Sequence, residues 1–171
     1  KELIKILSCH PNVDLVWLHS KSHDGSKISE IYPELMGKIK DSVEILKNYP
    51  EVCQTSPDAV FSCLPHGFSA EKVVNFYHNG HTTIIDLSAD FRLKDPRLYT
   101  QYYGQPHPCP ELLKESVFGL PEINQDKISH SRLVGNPGCY PTSILLALLP
   151  LIQKNRISTT SIMVDAKSGV S

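Results

Sequence analysis

The sequence predicts an α/β fold: a doubly wound, mostly parallel, Rossmann-like sheet. Three observations carry that prediction. Short apolar runs of strand length, AVFSCL at 59–64 and TTIIDL at 82–87, alternate with helical segments such as SAEKVVNFYH at 69–78. These runs are apolar on consecutive residues, so they need burial on both faces, which a parallel sheet between two helical layers provides. Each run also ends in a polar turn, at the end of the strand where open parallel sheets bind ligands.

Taken in order, residues 1–10 (KELIKILSCH) place Leu3, Ile6 and Leu7 at helical spacing, and Pro11-Asn12 stops the pattern, so the chain opens inside a helix. Residues 13–19 (VDLVWLH) read as a buried strand that runs into the polar stretch 20–25. The strand at 59–64 is halted by Pro65-His66-Gly67, and the helix at 69–78 has Ser69 in position to cap it. After the strand at 82–87, residues 88–131 are richer in Pro, Tyr and charge. They read as a long irregular excursion with at most short helices, such as 96–102, and long ordered loops are usually functional. Residues 132–134 lead as a strand into GNPGCYPT (135–142), a helix follows at 143–151, and SIMVD at 161–165 starts a further strand.

Composition narrows the function. With 171 residues, 40% hydrophobic and a formal net charge of −1, the chain suits one domain, or one domain plus part of another. The near-neutral balance, without a long Lys/Arg run, argues against nucleic acid or an anionic membrane as principal partner and leaves a small molecule. No apolar run is long enough to span a bilayer and no signal-peptide pattern opens the chain, so a cytoplasmic location is expected. The five cysteines are odd in number and scattered, which argues against a disulfide framework. Cys63 and His66 lie three apart, but no second ligand pair accompanies them, so no metal is expected.

The strand ends hold the candidate site residues. Ser20 and Lys21 follow the first strand where an NAD-selective site usually has an acidic residue; hydroxyls and a cation there suit the 2′-phosphate of NADP, and equally a solvated surface loop. Pro65-His66-Gly67 forms a tight turn whose backbone is able to approach a ribose or pyrophosphate. In DLSADFR (86–92), Arg92 suits a carboxylate or phosphate, while Asp86 and Asp90 suit pairing with basic neighbours. Gly135, Gly138 and Pro141 place Cys139 at or beside a helix N-terminus, where the macrodipole and unpaired N–H groups stabilise a thiolate or an oxyanion. On these residues alone a reactive nucleophile and a structural thiol both remain open.

GNPGCYPTSILLALLPL (135–151) closely resembles the active-site signature of the N-acetyl-γ-glutamyl-phosphate reductase family. The resemblance extends through CLPHG (63–67), IDLSADFRL (85–93), VFGLPEIN (117–124) and DAKSGVS (165–171), in the family's order over nearly the whole chain. It implies an NADPH-dependent acylating dehydrogenase of arginine biosynthesis that works in the reductive direction. Cys139 would attack the γ-acyl phosphate of N-acetylglutamyl 5-phosphate and expel phosphate; hydride transfer to the thioester would then release N-acetylglutamate 5-semialdehyde. The resemblance further implies that Asn136 helps place the reacting carbonyl and that Ser20 and Lys21 lie near the ribose phosphate. It puts Leu64, Pro65 and His66 along the cofactor's path and Ser168 and Gly169 by the pyrophosphate or nicotinamide. A homo-oligomer, dimer or tetramer, is expected of the full-length protein.

The family's first strand and Gly-x-x-Gly-x-x-Gly turn would precede Lys1, and its catalytic histidine would follow Ser171. The resemblance therefore implies a fragment without turnover of its own: an incomplete NADP-binding, Rossmann-like domain at 1–138 and the start of a second α/β (α+β) catalytic and dimerisation domain at 139–171. Two rivals differ in kind: an aspartate-semialdehyde dehydrogenase-like enzyme, whose cysteine motif differs around the thiol, and a noncatalytic nucleotide-binding or assembly module.

Overall fold

A computed structural model describes residues 1–20, 26–37, 39, 44–46 and 56–169, with 44–46 described by backbone alone. The chain divides into two compact units, Lys1–Pro57 and Asp58–Ser171. Among the described residues no helix is long and apolar enough to cross a membrane.

In the first unit, helix α1 (Glu2–Ser8) occupies the expected opening segment. Strand β1 (Trp17–His19) takes only the last three of the seven residues expected to form it. It pairs in parallel with β2 (Glu44–Leu46), from Trp17–Glu44 to His19–Leu46. Helix α2 (Ile28–Ile31) and a 3-10 turn (Pro33–Leu35) bury Ile28 and Leu35. Ile4, Leu15, Leu18, Ile31, Tyr32 and Ile39 pack around these two.

The second unit is built on four parallel strands: β3 (Ala59–Ser62), β4 (Thr83–Asp86), β5 (Val117–Phe118) and β6 (Leu133–Gly135). Their spatial order is β3-β4-β6-β5, so the chain passes β6's place to form β5 and then returns between β4 and β5. Helices α3 (Phe68–His78), α4 (Pro96–Tyr103), α5 (Pro121–Ser129) and α6 (Cys139–Gln153) connect and follow the strands. Helix α3 buries Ser69, Ala70, Val73 and Phe76, one face at helical spacing, and packs on β4. Ile84 and Leu133 in the two central strands are almost wholly buried, as expected of a sheet covered on both sides.

Three expectations change. The short helix expected at 96–102 forms as α4, but the segment 88–131 is more ordered than expected, since it also holds β5, a 3-10 turn (Pro110–Lys114) and α5. Helix α5 escapes sequence detection because none of its residues is buried and so no apolar stripe marks it; it begins with Pro121, whose fixed φ suits a first helical position. Residues 161–165 form no strand: despite an apolar composition they join no ladder among the described residues, and Met163 is 96% exposed. Ser69 is not a cap, since the N-cap is Gly67 and Ser69 lies inside the helix.

Candidate active site

The carboxyl ends of the four strands are level. Ser62 pairs with Asp86, and Asp86 and Phe118 each pair with Gly135. Just beyond that row, three backbone hydrogen bonds continue across the edge: Leu87 N–H to Ser62 O at 2.9 Å, Asn136 N–H to Asp86 O at 2.8 Å, and Gly119 N–H to Gly135 O at 2.9 Å. The motifs CLPHG, DLSADFR, VFGLPEIN and GNPGC therefore all leave the sheet along one edge.

Cys139 is exposed and is the first residue of the 15-residue helix α6. Gly138 is the N-cap and provides no side-chain cap. Pro141 lacks an N–H, and the Thr142 N–H and hydroxyl both go to Gly138 O, at 3.1 and 2.9 Å. The positive end of the helix thus meets the thiol without an internal carboxylate, a setting that favours negative charge developing there.

Arg92 organises this turn. Its Nε donates to Asn136 O at 2.7 Å and its Nη2 to Leu87 O at 3.0 Å, which staples the loops after β4 and β6 together. Nη1 lies 3.2 Å from where a Gly138 side chain would begin, beside the residue that precedes the cysteine. Gly135 lets the loops close: a side chain there would run into the Phe91 carbonyl, its Cβ only 2.6 Å from the carbonyl carbon. The Asn136 side chain donates to Pro137 O at 3.1 Å.

The two acidic residues expected to meet basic neighbours instead take neutral donors. Asp86 is fully buried and accepts from the Ser69 hydroxyl, the Ser88 hydroxyl (2.6 Å) and the Ser88 N–H (3.2 Å). The Ser69 proton is committed to Asp86, so the Ser62 hydroxyl, 2.6 Å away, donates to Ser69. Burial pushes the Asp86 carboxyl above the usual carboxylate range, against the pull of those hydrogen bonds. Asp90, also fully buried, accepts from Gly67 N–H at 2.7 Å, Ala70 N–H at 2.9 Å and the Tyr99 hydroxyl at 2.8 Å. It is the cap that Ser69 was expected to be, supplied from the next loop.

The turn after β3 leaves Cys63, Pro65 and His66 exposed and Leu64 partly so. His66 rests against Tyr103, ring centroids 5.6 Å apart. Gly67 has φ +81°, and Gln105 fills the space its missing side chain leaves, so neither its N–H nor its open side faces a ligand. Ser168 and Gly169 lie in exposed coil after α6, the Ser168 hydroxyl donating to Gly169 O at 3.3 Å. Ser20 directly follows β1 in the first unit, and Lys21 lies outside the described residues.

Sequence reasoning missed His107. Its Nδ1 accepts from Cys109 N–H at 3.0 Å, so Nε2 carries the proton and donates to Asp90 O at 3.0 Å. The ring packs edge-on to Phe91 and Tyr99, and burial holds its pKa below the usual imidazole value. No local pattern marks it, because all its partners but Cys109 come from distant positions.

Level parallel strands, with their connecting turns gathered at the carboxyl edge, define a Rossmann-like nucleotide-binding domain. The family "Semialdehyde dehydrogenase, NAD binding domain" matches residues 1–131, and "Semialdehyde dehydrogenase, dimerisation domain" matches residues 139–171. The chain belongs to the semialdehyde dehydrogenase family. It is 48% identical over 170 residues to the N-acetyl-gamma-glutamyl-phosphate reductase of Pelotomaculum thermopropionicum, covering 99% of this chain and 48% of that protein. Proteins of the same name from Halothermothrix orenii and Bordetella pertussis are 46% and 42% identical, again over 99% of this chain and 48% of theirs. The chain spans about half the length of the curated relatives it matches.

Proposed function

We propose that the complete polypeptide carrying this chain reduces N-acetyl-L-glutamyl 5-phosphate to N-acetyl-L-glutamate 5-semialdehyde and phosphate with NADPH, a step of arginine biosynthesis. The observation that carries this reading is Cys139, exposed at the uncapped N-terminus of α6 with Arg92 beside its turn. The name shared by the relatives supports the substrate.

In this reading the Cys139 thiolate attacks the acyl carbon, the bond to the phosphate oxygen breaks, and phosphate departs to leave a thioester on sulfur. The N–H groups at the start of α6 hold the oxygen of the attacked carbonyl, and Asn136 orients it. Arg92 commits two nitrogens to backbone carbonyls and keeps Nη1 for the phosphate or a carboxylate of the substrate. A bound NADPH supplies the hydride that takes the thioester to the aldehyde level, after which the thiolate is released.

The exposed turn after β3 fits such a cofactor, with Leu64, Pro65 and His66 along its path. Ser20 and Lys21 would meet the 2′-phosphate, and Ser168 and Gly169 the nicotinamide or pyrophosphate. Residues 1–138 serve as the nucleotide-binding part and 139–171 open the catalytic part, through which the protein forms a homo-oligomer.

The test is phosphate-dependent reduction of NADP⁺ or NAD⁺ by N-acetylglutamate 5-semialdehyde, run on the complete polypeptide beside aspartate semialdehyde. The reading predicts activity with the acetylated substrate and a preference for NADP⁺. Turnover of aspartate semialdehyde alone would assign the chain to the other enzyme class, and nucleotide binding without turnover would leave a noncatalytic module.

A further inference from the structure

We propose that Asp90 is a positioning residue for the cofactor turn: its carboxylate, steadied by Tyr99, anchors the turn at Gly67 and so fixes Leu64, Pro65 and His66 in the geometry that receives the nucleotide. The proposal rests on the assignment of Leu64, Pro65 and His66 to the cofactor path.

Capping alone needs nothing so remote. A Ser, Asp or Thr at the N-cap would satisfy the first turn of α3 locally. Instead the N-cap is Gly67, and the acceptor comes from 23 positions onward in the loop after β4. One oxygen takes Gly67 N–H and the Tyr99 hydroxyl, the other Ala70 N–H.

The loop that bears Asp90 is itself held from two sides. Its N–H donates to the Ser88 hydroxyl at 3.1 Å and its carbonyl accepts from His107 Nε2. Helix α4 closes the arrangement, since Tyr99 reaches Asp90, Tyr103 lies against His66, and the two tyrosine rings are 4.8 Å apart. Gln105, just past that helix, occupies the space beside Gly67.

Three segments, 65–70, 88–90 and 99–107, therefore converge on the one exposed turn that the functional reading gives to the cofactor. Among the described residues no cation forms an ion pair with Asp90, so the carboxylate depends wholly on these donors. Removing a donor or an acceptor frees the turn, and a ligand must then order it on binding, which weakens affinity without touching the reacting atoms.

The experiment is NADPH titration by calorimetry together with steady-state kinetics, on the complete polypeptide and its Asp90→Asn and Tyr99→Phe variants. Asp90→Asn turns one acceptor oxygen into a donor facing Ala70 N–H. It should raise both Kd and KM for NADPH about tenfold, with kcat and the acyl-phosphate KM within about twofold. Tyr99→Phe removes one donor at nearly constant volume and should act in the same direction by about threefold. If Asp90→Asn does not fold, Tyr99→Phe decides alone. A lowered Tm with unchanged NADPH affinity, or a loss confined to kcat, would make Asp90 a structural cap and overturn the proposal. If the unsubstituted protein turns over but the variants bind NADPH normally, the positioning role fails and the functional reading stands. If the unsubstituted protein binds no NADPH, both fall.

Discussion

Two turns leave the same edge of the sheet and treat their helix N-termini in opposite ways. After β3, Gly67 begins α3, and the Asp90 carboxylate sits on its first N–H groups. After β6, Gly138 begins α6, no side chain caps it, and Cys139 is the first helical residue. Helix α3 buries one face, whereas no residue of α6 is buried, although the run from Ile144 to Ile152 is almost entirely apolar. A helix N-terminus attracts negative charge. Filling one internally leaves the other as the place where an oxyanion gains from that field. The difference thus assigns the β3–α3 turn to shape and the β6–α6 turn to charge.

The largest break in that contrast is Cys139→Ala in the complete polypeptide. It leaves every backbone bond of the turn intact and should lower kcat by about a thousandfold or more, with NADPH affinity by titration unchanged. A loss of less than about tenfold would put the chemistry elsewhere.

Gly135→Ala should come next, because its Cβ would lie 2.6 Å from the Phe91 carbonyl carbon and force the Arg92 loop off β6. Urea unfolding should register a loss of about 2–3 kcal/mol. Gly138→Ala is the matched control. Its φ is −75° and its Cβ would meet Arg92 Nη1 at 3.2 Å, which a shift of a few tenths of an ångström relieves, and Pro141 Cδ at an ordinary 3.6 Å, so its stability should stay within about 1 kcal/mol.

Arg92→Lys keeps the charge and removes the fork that holds Leu87 O and Asn136 O together. Steady-state kinetics should show kcat/KM for the acyl phosphate down about tenfold. An unchanged value would mean that the charge suffices and the staple is dispensable.

The smallest effect concerns the β3–α3 side. Burial lowers the His107 pKa in the folded state, so in the window below the usual imidazole value of 6.5 the unfolded chain binds more protons than the folded one. The stability that neutral His107 contributes is complete above that value and is lost as pH falls through the folded-state pKa. Chemical denaturation between neutral and mildly acid pH should show stability falling with pH, with a shallower fall in His107→Gln. Equal slopes would exclude His107 as the titrating group.

What could be read in advance follows the range of the forces involved. The strands at 59–62 and 83–86 declare themselves because two-sided burial demands unbroken apolar runs. Strand β2 is three residues and β5 two, too short for a pattern, and each depends on the partner it joins. The apolar composition of 161–165 misleads for the converse reason: β propensity makes no strand without a ladder to join.

At the site, Gly and Pro restrict the backbone within a few residues, so the place of Cys139 at the start of a helix is written locally into GNPGCYPT. The sequence by itself therefore determined the fold class, the edge on which the motifs meet and the helix that begins at the cysteine. Tertiary structure alone decided the partners. Asp90 caps a helix 20 and 23 positions back, and Arg92 reaches across 44 positions to Asn136 O. Both contacts exist because parallel pairing brings distant strand ends level, and buried polar groups must then take whichever donors and acceptors that alignment sets beside them.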